Sequence, residues 1–265
     1  MNETLTEAAC AVLAAADPAQ KVALSAAASR DWRDGRIAEI GDTSPPVRPA
    51  RPVRPVLLAP RDMPKRRSGQ SAAHRVALLH ALAHIELNAV DLAWDIVARF
   101  TYEGLPKDFY DDWVTVAEEE ALHFQLLSDR LAALDAAYGD LPAHDGLWQA
   151  AEETAHDLIA RLALVPLVLE ARGLDVTPAT IANLERAGDG KSVAVLRRIY
   201  DDEIGHVAAG RRWFEHVCGV RGLEPIATWQ GLVRQHFRGS LKLPFNDDAR
   251  AAAGFDAAFY RPLAG

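Results

Sequence analysis

Val116-Ala-Glu-Glu-Glu-Ala-Leu-His-Phe124 and Tyr200-Asp-Asp-Glu-Ile-Gly-His206 each contain one Glu-x-x-His step, Glu120 to His123 and Glu203 to His206. Residues three apart on an α-helix share a face one turn apart, so each step aims a carboxylate and an imidazole the same way. The surrounding pattern makes that direction inward. Trp113, Val116, Ala117, Phe124, Leu127, Leu131 and Leu134 fall on the face of the first pair, and Leu196, Ile199, Tyr200, Val207, Gly210 and Phe214 on that of the second. Two more acids sit alike on the preceding helical patterns: Glu86 among Leu79, Leu82, Ala83, Ala89, Val90, Ala93 and Val97, and Glu170 among Ile159, Ala163, Leu167 and Leu174. The spacing repeats, with an offset of 34 residues from Glu86 to Glu120 and 33 from Glu170 to Glu203.

Ionised carboxylates in an apolar seam cost on the order of several kcal/mol each unless a counter-charge accompanies them. No Lys or Arg falls on these faces, so bound metal is the economical counter-charge. Four carboxylates balance two divalent ions, and oxygen plus imidazole donors suit iron or manganese better than calcium or a thiolate-seeking metal. The expected ligands are Glu86, Glu120, His123, Glu170, Glu203 and His206, converging on one small central region. Their four carboxylates, with Tyr200 one turn before Glu203, are the catalytic candidates; Tyr200 reads equally well as a core tyrosine. His80 and His84 lie off the Glu86 face and are expected to cap or pack, while Asp91, Asp95, Arg161, Arg172 and Asp175 are expected in interhelical ion pairs.

Helix-period apolar patterns fill most of the rest, and β-branched alternation is nearly absent, so the fold class is all-α. Four long patterns, about 72–100, 108–136, 147–173 and 192–217, predict a four-helix bundle over 71–220. Residues 1–43 predict a helical hairpin, with Asp17 and Pro18 as N-cap and first helical residue of its second arm. Seven prolines between Ser44 and Pro64 make 44–70 an extended connector, ending in the basic Lys65-Arg66-Arg67. Residues 221–265 form a C-terminal cap with short helices near 225–237 and before Gly254; another short helix is expected from Pro178. Pro166 should kink the third long helix one turn before Glu170.

Of the 265 residues 49% are hydrophobic, and 37 acidic against 29 basic side chains give a net charge of −8, which argues against a general nucleic-acid binder. Two cysteines, Cys10 and Cys218, support neither a disulfide framework nor a cysteine-ligated zinc site, and a reducing cytoplasm is the expected compartment. No apolar run reads as the roughly 20 residues of a membrane span, and the N-terminal Met-Asn-Glu-Thr-Leu lacks the basic region of a secretory signal.

The Glu, Glu-x-x-His, Glu, Glu-x-x-His order resembles the ferritin-like di-iron carboxylate superfamily over residues 72–217. Ala81-Leu-Ala-His-Ile-Glu86, Tyr138-Gly-Asp-Leu-Pro-Ala-His-Asp-Gly-Leu-Trp148, Leu169-Glu-Ala-Arg-Gly-Leu-Asp-Val-Thr-Pro178 and Pro244-Phe-Asn246 extend the likeness to a bacterial ferritin-like family without an assigned role, usually compared with the tRNA hydroxylase branch. The resemblance implies a ferritin-like bundle and two iron ions, Fe/Fe or Mn/Fe. A metal-bound imidazole donates its other N–H to an acceptor; by analogy Glu119 orients His206 and Asp202 orients His123, the alternative being solvent-facing acids. Leu127 stands where the radical-forming ribonucleotide reductases keep a tyrosine, which excludes a stable radical there.

The leading functional expectation is an oxidoreductase in which O2 oxidises or hydroxylates a small organic substrate, with the electron donor and substrate unspecified. Iron handling, as a ferroxidase or in detoxification, is the alternative, and a metal-stabilised interaction module is the third. A tRNA partner rests on Lys65-Arg66-Arg67 alone, no membrane role is expected, and the homodimer is left open.

Overall fold

The structure, a computed structural model, describes residues 3–59, 62–64, 71–237 and 240–265. Lys65-Arg66-Arg67 lies outside the described residues. The protein is all-α: among the described residues the strands are two residues long, β1 (Leu57–Leu58) pairing in parallel with β2 (Ala143–His144), besides one isolated bridge, Leu241 to Ala264. The chain divides into two compact units, Met1–Trp148 and Gln149–Gly265. Glu86, Glu120 and His123 lie in the first, Glu170, Glu203 and His206 in the second.

In the first unit, α1 (Leu5–Ala14) opens with a reciprocal capping box between Thr4 and Glu7. Helix α2 (Pro18–Arg33) starts as the sequence predicts, the Asp17 carboxylate accepting the Gln20 N–H at 2.8 Å and Pro18 taking the first turn. The hairpin lies on α3 (Ala72–Arg99) and α4 (Lys107–Ala132), α1 against α3 and α2 against α4. The short link 100–106 returns α4 alongside α3, as expected for antiparallel neighbours.

From Glu86 to Ala98 every residue of α3 is buried. A helix buried all round needs little charge, and by length and composition α3 is apolar enough to cross a membrane, which corrects the expectation from the sequence. Its composition is that of a core helix: 67% of the apolar window is buried inside the protein.

Residues 44–56 of the proline-rich stretch form no helix or strand and are tied to the helices at several points. Ala50 N–H donates to Leu13 C=O at 2.8 Å, Arg99 Nη2 to Pro46 C=O at 2.9 Å, and Arg48 pairs with Asp145. Arg51 reaches Asp91 and donates to Asn88 Oδ1 at 2.6 Å. Asp91 also takes the fully buried Lys21 ammonium at 2.6 Å, so one carboxylate on α3 joins α2 and the connector.

In the second unit the expected helix 147–173 is divided. Helix α5 (Gly146–Glu153), which crosses the boundary between the units, ends before Thr154, and Asp157 caps α6 (Leu158–Leu164). Arg161 is buried at that break, its Nε on Thr154 Oγ1 at 2.9 Å and its Nη2 on Ala151 C=O at 2.6 Å, the latter an acceptor that the broken ladder leaves. A π-helical segment follows, Val165–Glu170, then α7 (Ala171–Arg186). Pro166 thus widens the helix where a kink was expected, since its missing N–H interrupts the ladder.

Pro178 starts no helix; α7 runs through it. The Leu174 carbonyl, which would have accepted the absent N–H, accepts Asn246 Nδ2 at 3.1 Å instead. Helix α8 (Gly190–Arg221) packs on α6, the π segment and α7, while α9 (Pro225–His236), α10 (Asp247–Ala252) and α11 (Ala257–Tyr260) complete the unit. Asp175 of α7 holds Arg250 of α10 at 2.8 Å, with Tyr260, Phe245 and Phe255 round the guanidinium. Of the expected interhelical pairs, Asp91 and Asp175 form them; Asp95 binds Arg99 on its own helix and Arg172 meets Asp175 within α7.

Removing one partner of a buried ion pair strands the others. Asp91→Ala should therefore lower the stability of the chain by about 3–5 kcal/mol in urea unfolding followed by circular dichroism, whereas Arg36→Ala at the exposed pair with Asp31 should barely move the midpoint. A small effect at Asp91 would mean that Lys21 and Arg51 find other acceptors.

Candidate metal centre

Glu86 projects from the all-round buried part of α3, and Glu120 and His123 from one face of α4, because 120 and 123 are a turn apart. All three are buried, Glu120 and His123 completely. A ring nitrogen of His123 and one carboxylate oxygen from each acid lie within 4.8 Å of one another. His123 Nδ1 is 3.5 Å from Glu86 Oε2 and 3.6 Å from Glu120 Oε2. Those separations are longer than hydrogen bonds, and Glu86 Oε2, closed off from solvent, makes no hydrogen bond among the described residues.

The electrostatics of this trio are strained without a cation. Burial, reinforced by the neighbouring Glu120 charge, pushes the Glu86 carboxyl up to about 8. At His123 burial works against the charged ring, but the two carboxylates outweigh it and raise the imidazole to about 11. Protons thus stand in for positive charge between α3 and α4.

The second unit carries the matching step on α8. Glu203 Oε2 lies 3.7 Å from His206 Nδ1, with His206 buried and the Glu203 side chain 12% exposed. Glu170 ends the π segment and is half-buried. The Tyr200 phenol accepts from Asn246 Nδ2 at 2.8 Å, which ties it to the C-terminal segment. Glu119 and Asp202 are both half-buried, and Asp202 accepts Arg198 Nε at 2.5 Å from the previous turn of its helix. Leu127 is buried on α4. No thiolate belongs to either step, and burial pushes the Cys218 thiol up to about 11.

His80 and His84 pack away from Glu86, as expected. His80 Nε2 accepts the Gly139 N–H at 2.9 Å. His84 Nε2 faces the His144 carbonyl at 2.9 Å, an acceptor only, so that nitrogen carries the proton and Nδ1 accepts the Tyr138 hydroxyl at 2.9 Å. Burial holds this ring down at about 4, hence neutral. The contacts of Tyr138 and Asn88 with His84 had no signal in the sequence, where one heads a Tyr-Gly-Asp turn and the other is a polar residue on a core helix.

The family described as "Protein of unknown function (DUF455)" matches residues 14–261. An uncharacterized protein of Haemophilus influenzae is 43% identical over 207 residues, 76% of this chain and 71% of that protein. No solved structure matches.

A group whose pKa is raised in the folded state favours folding below its unfolded pKa and loses that contribution as pH climbs through the folded value. Glu86 acts from about 4.5 to about 8 and His123 from about 6.5 to about 11. The chelated protein should accordingly lose stability between pH 6 and pH 9 in urea titrations, and Mn(II) should flatten that dependence. Equal slopes with and without metal would show that the trio has no use for a cation.

Proposed function

The chain belongs to the family described as Protein of unknown function (DUF455), and we propose that it is a ferritin-like dinuclear metal oxidoreductase. The observation that carries this reading is the buried trio Glu86, Glu120 and His123, two like charges and one imidazole closed off together. The same Glu-x-x-His step recurs on α8 with Glu170 preceding it. The donor chemistry fits: hard carboxylate oxygens and neutral imidazole nitrogens suit iron or manganese. In this reading Glu86, Glu120, His123, Glu170, Glu203 and His206 would hold two ions, Fe/Fe or Mn/Fe.

When bound, the ions supply the redox equivalents with which O2 oxidises or hydroxylates an organic substrate. The protein's own part is to orient and to exclude water. The carboxylates set the ligand field, and the apolar neighbours Ala83, Val90, Ala117 and Leu127 keep the trio dry. Glu119 and Asp202 are proposed to hold the outer N–H of the histidines, Asp202 doing so while it also binds Arg198. The hairpin and the connector, laid over α3 and α4, favour a discrete enzyme over a subunit of a storage shell, because they cover helix surface that shell packing would use.

Loading the chelated protein with Fe(II) and admitting O2 separates the readings. Oxidation should stop near two irons per chain, with further O2 uptake only when a reductant and an organic substrate are supplied, and Glu120→Ala should lower iron affinity by at least tenfold. Continued oxidation of many irons per chain into a mineral core would instead establish iron handling, and unchanged metal binding in Glu120→Ala would remove the centre altogether.

A further inference from the structure

Two features of the second unit meet at one point. On α8, Gly210 lies four residues after His206 and seven after Glu203, on the stripe that carries both. On the π segment, Pro166 lies four residues before Glu170. A Cβ on Gly210 would stand 2.3 Å from Pro166 Cβ, 2.5 Å from its Cγ and 3.7 Å from its Cα. Carbon atoms settle at about 3.5–4.0 Å, so the pyrrolidine ring already fills the place of a side chain at 210. The obstruction cannot swing aside as the end of a long side chain would, because the ring closes onto its own backbone.

The segment is therefore held in two ways. Lacking an N–H, Pro166 breaks the α-helical ladder and the turn widens. The wide turn is then seated against α8 by the ring in the glycine notch. Both ligand-bearing elements of the unit are set at this contact, since the Glu170 carboxylate leaves the segment one turn after the ring and His206 leaves α8 one turn before the notch.

We propose that Pro166 and Gly210 are positioning residues for the metal centre: ring and notch fix the register of the Glu170 segment against the Glu203 and His206 stripe. The proposal rests on those three residues being ligands. A methyl group at 210 would push the segment outward and turn Glu170 away from the histidine, while leaving Glu86, Glu120 and His123 untouched.

The test is a double-mutant cycle on the full chain, with Co(II) alone as probe, reading affinity and the visible ligand-field spectrum at a temperature where circular dichroism shows full helicity. In the Pro166 background, Gly210→Ala should lower affinity for the weaker Co(II) by about tenfold or more and alter its spectrum. In a Pro166→Gly background the same change should cost less than about twofold, because both the Cβ and the ring that the methyl strikes are gone. Equal losses in both backgrounds, or no change in either while the wild type binds two Co(II), would overturn the notch. Should Gly210→Ala alone not fold, recovery of helicity and Co(II) binding in the double variant supports the proposal, and failure of both variants refutes it. Glu203→Ala separates the premise: if Co(II) binding survives that change intact, the ligand assignment is wrong whatever the cycle shows.

Discussion

Two carboxylates buried beside one imidazole are the constraint on which the first unit turns. Glu86 and Glu120 repel one another where water cannot screen them, and His123 supplies at most one positive charge between them. Such a trio can exist only inside a wall of packed helices. The all-round burial of α3, the return of α4, and the cover of α1 and α2 build that wall. The apolar surface they remove from water offsets the cost of keeping the acids dry.

The same helix shows what the protein does when a buried acid is purely structural. Asp91, five residues beyond Glu86, is met by Lys21 and Arg51, and Asp95 by Arg99. Each of these carboxylates draws its cation from the protein itself, and the partner comes from the hairpin, the connector or the next turn. Glu86 faces a histidine already shared with a second acid. That difference, on one helix and at similar burial, is what the proposed metal-binding role of Glu86 rests on.

In the second unit prolines have a comparable organising role. Pro178 sits within α7 because Asn246 donates to the carbonyl that the proline leaves unmatched, and the same asparagine reaches Tyr200 and caps α10. Pro166 has its own solution, a π turn whose ring occupies the space that Gly210 leaves. Both prolines interrupt a helix, and in both cases a residue distant in the chain makes the interruption tolerable. The short Pro244-Phe245-Asn246 run thereby links the C-terminal segment to the helix that follows Glu170.

Helix periodicity is a local property, and it was legible. The all-α class, the cap at Asp17 and the inward direction of Glu86, Glu120 and His123 all follow from residues within a few positions of one another. Long-range partners had no such signal. That Lys21 would meet Asp91 seventy residues away, that Arg161 would answer a broken helix end, that α7 would run through Pro178, and that a proline ring would fill the notch at Gly210 depend on how helices approach one another. An interruption in a helical pattern states that a hydrogen bond is lost; only the packed chain supplies the donor, acceptor or space that replaces it.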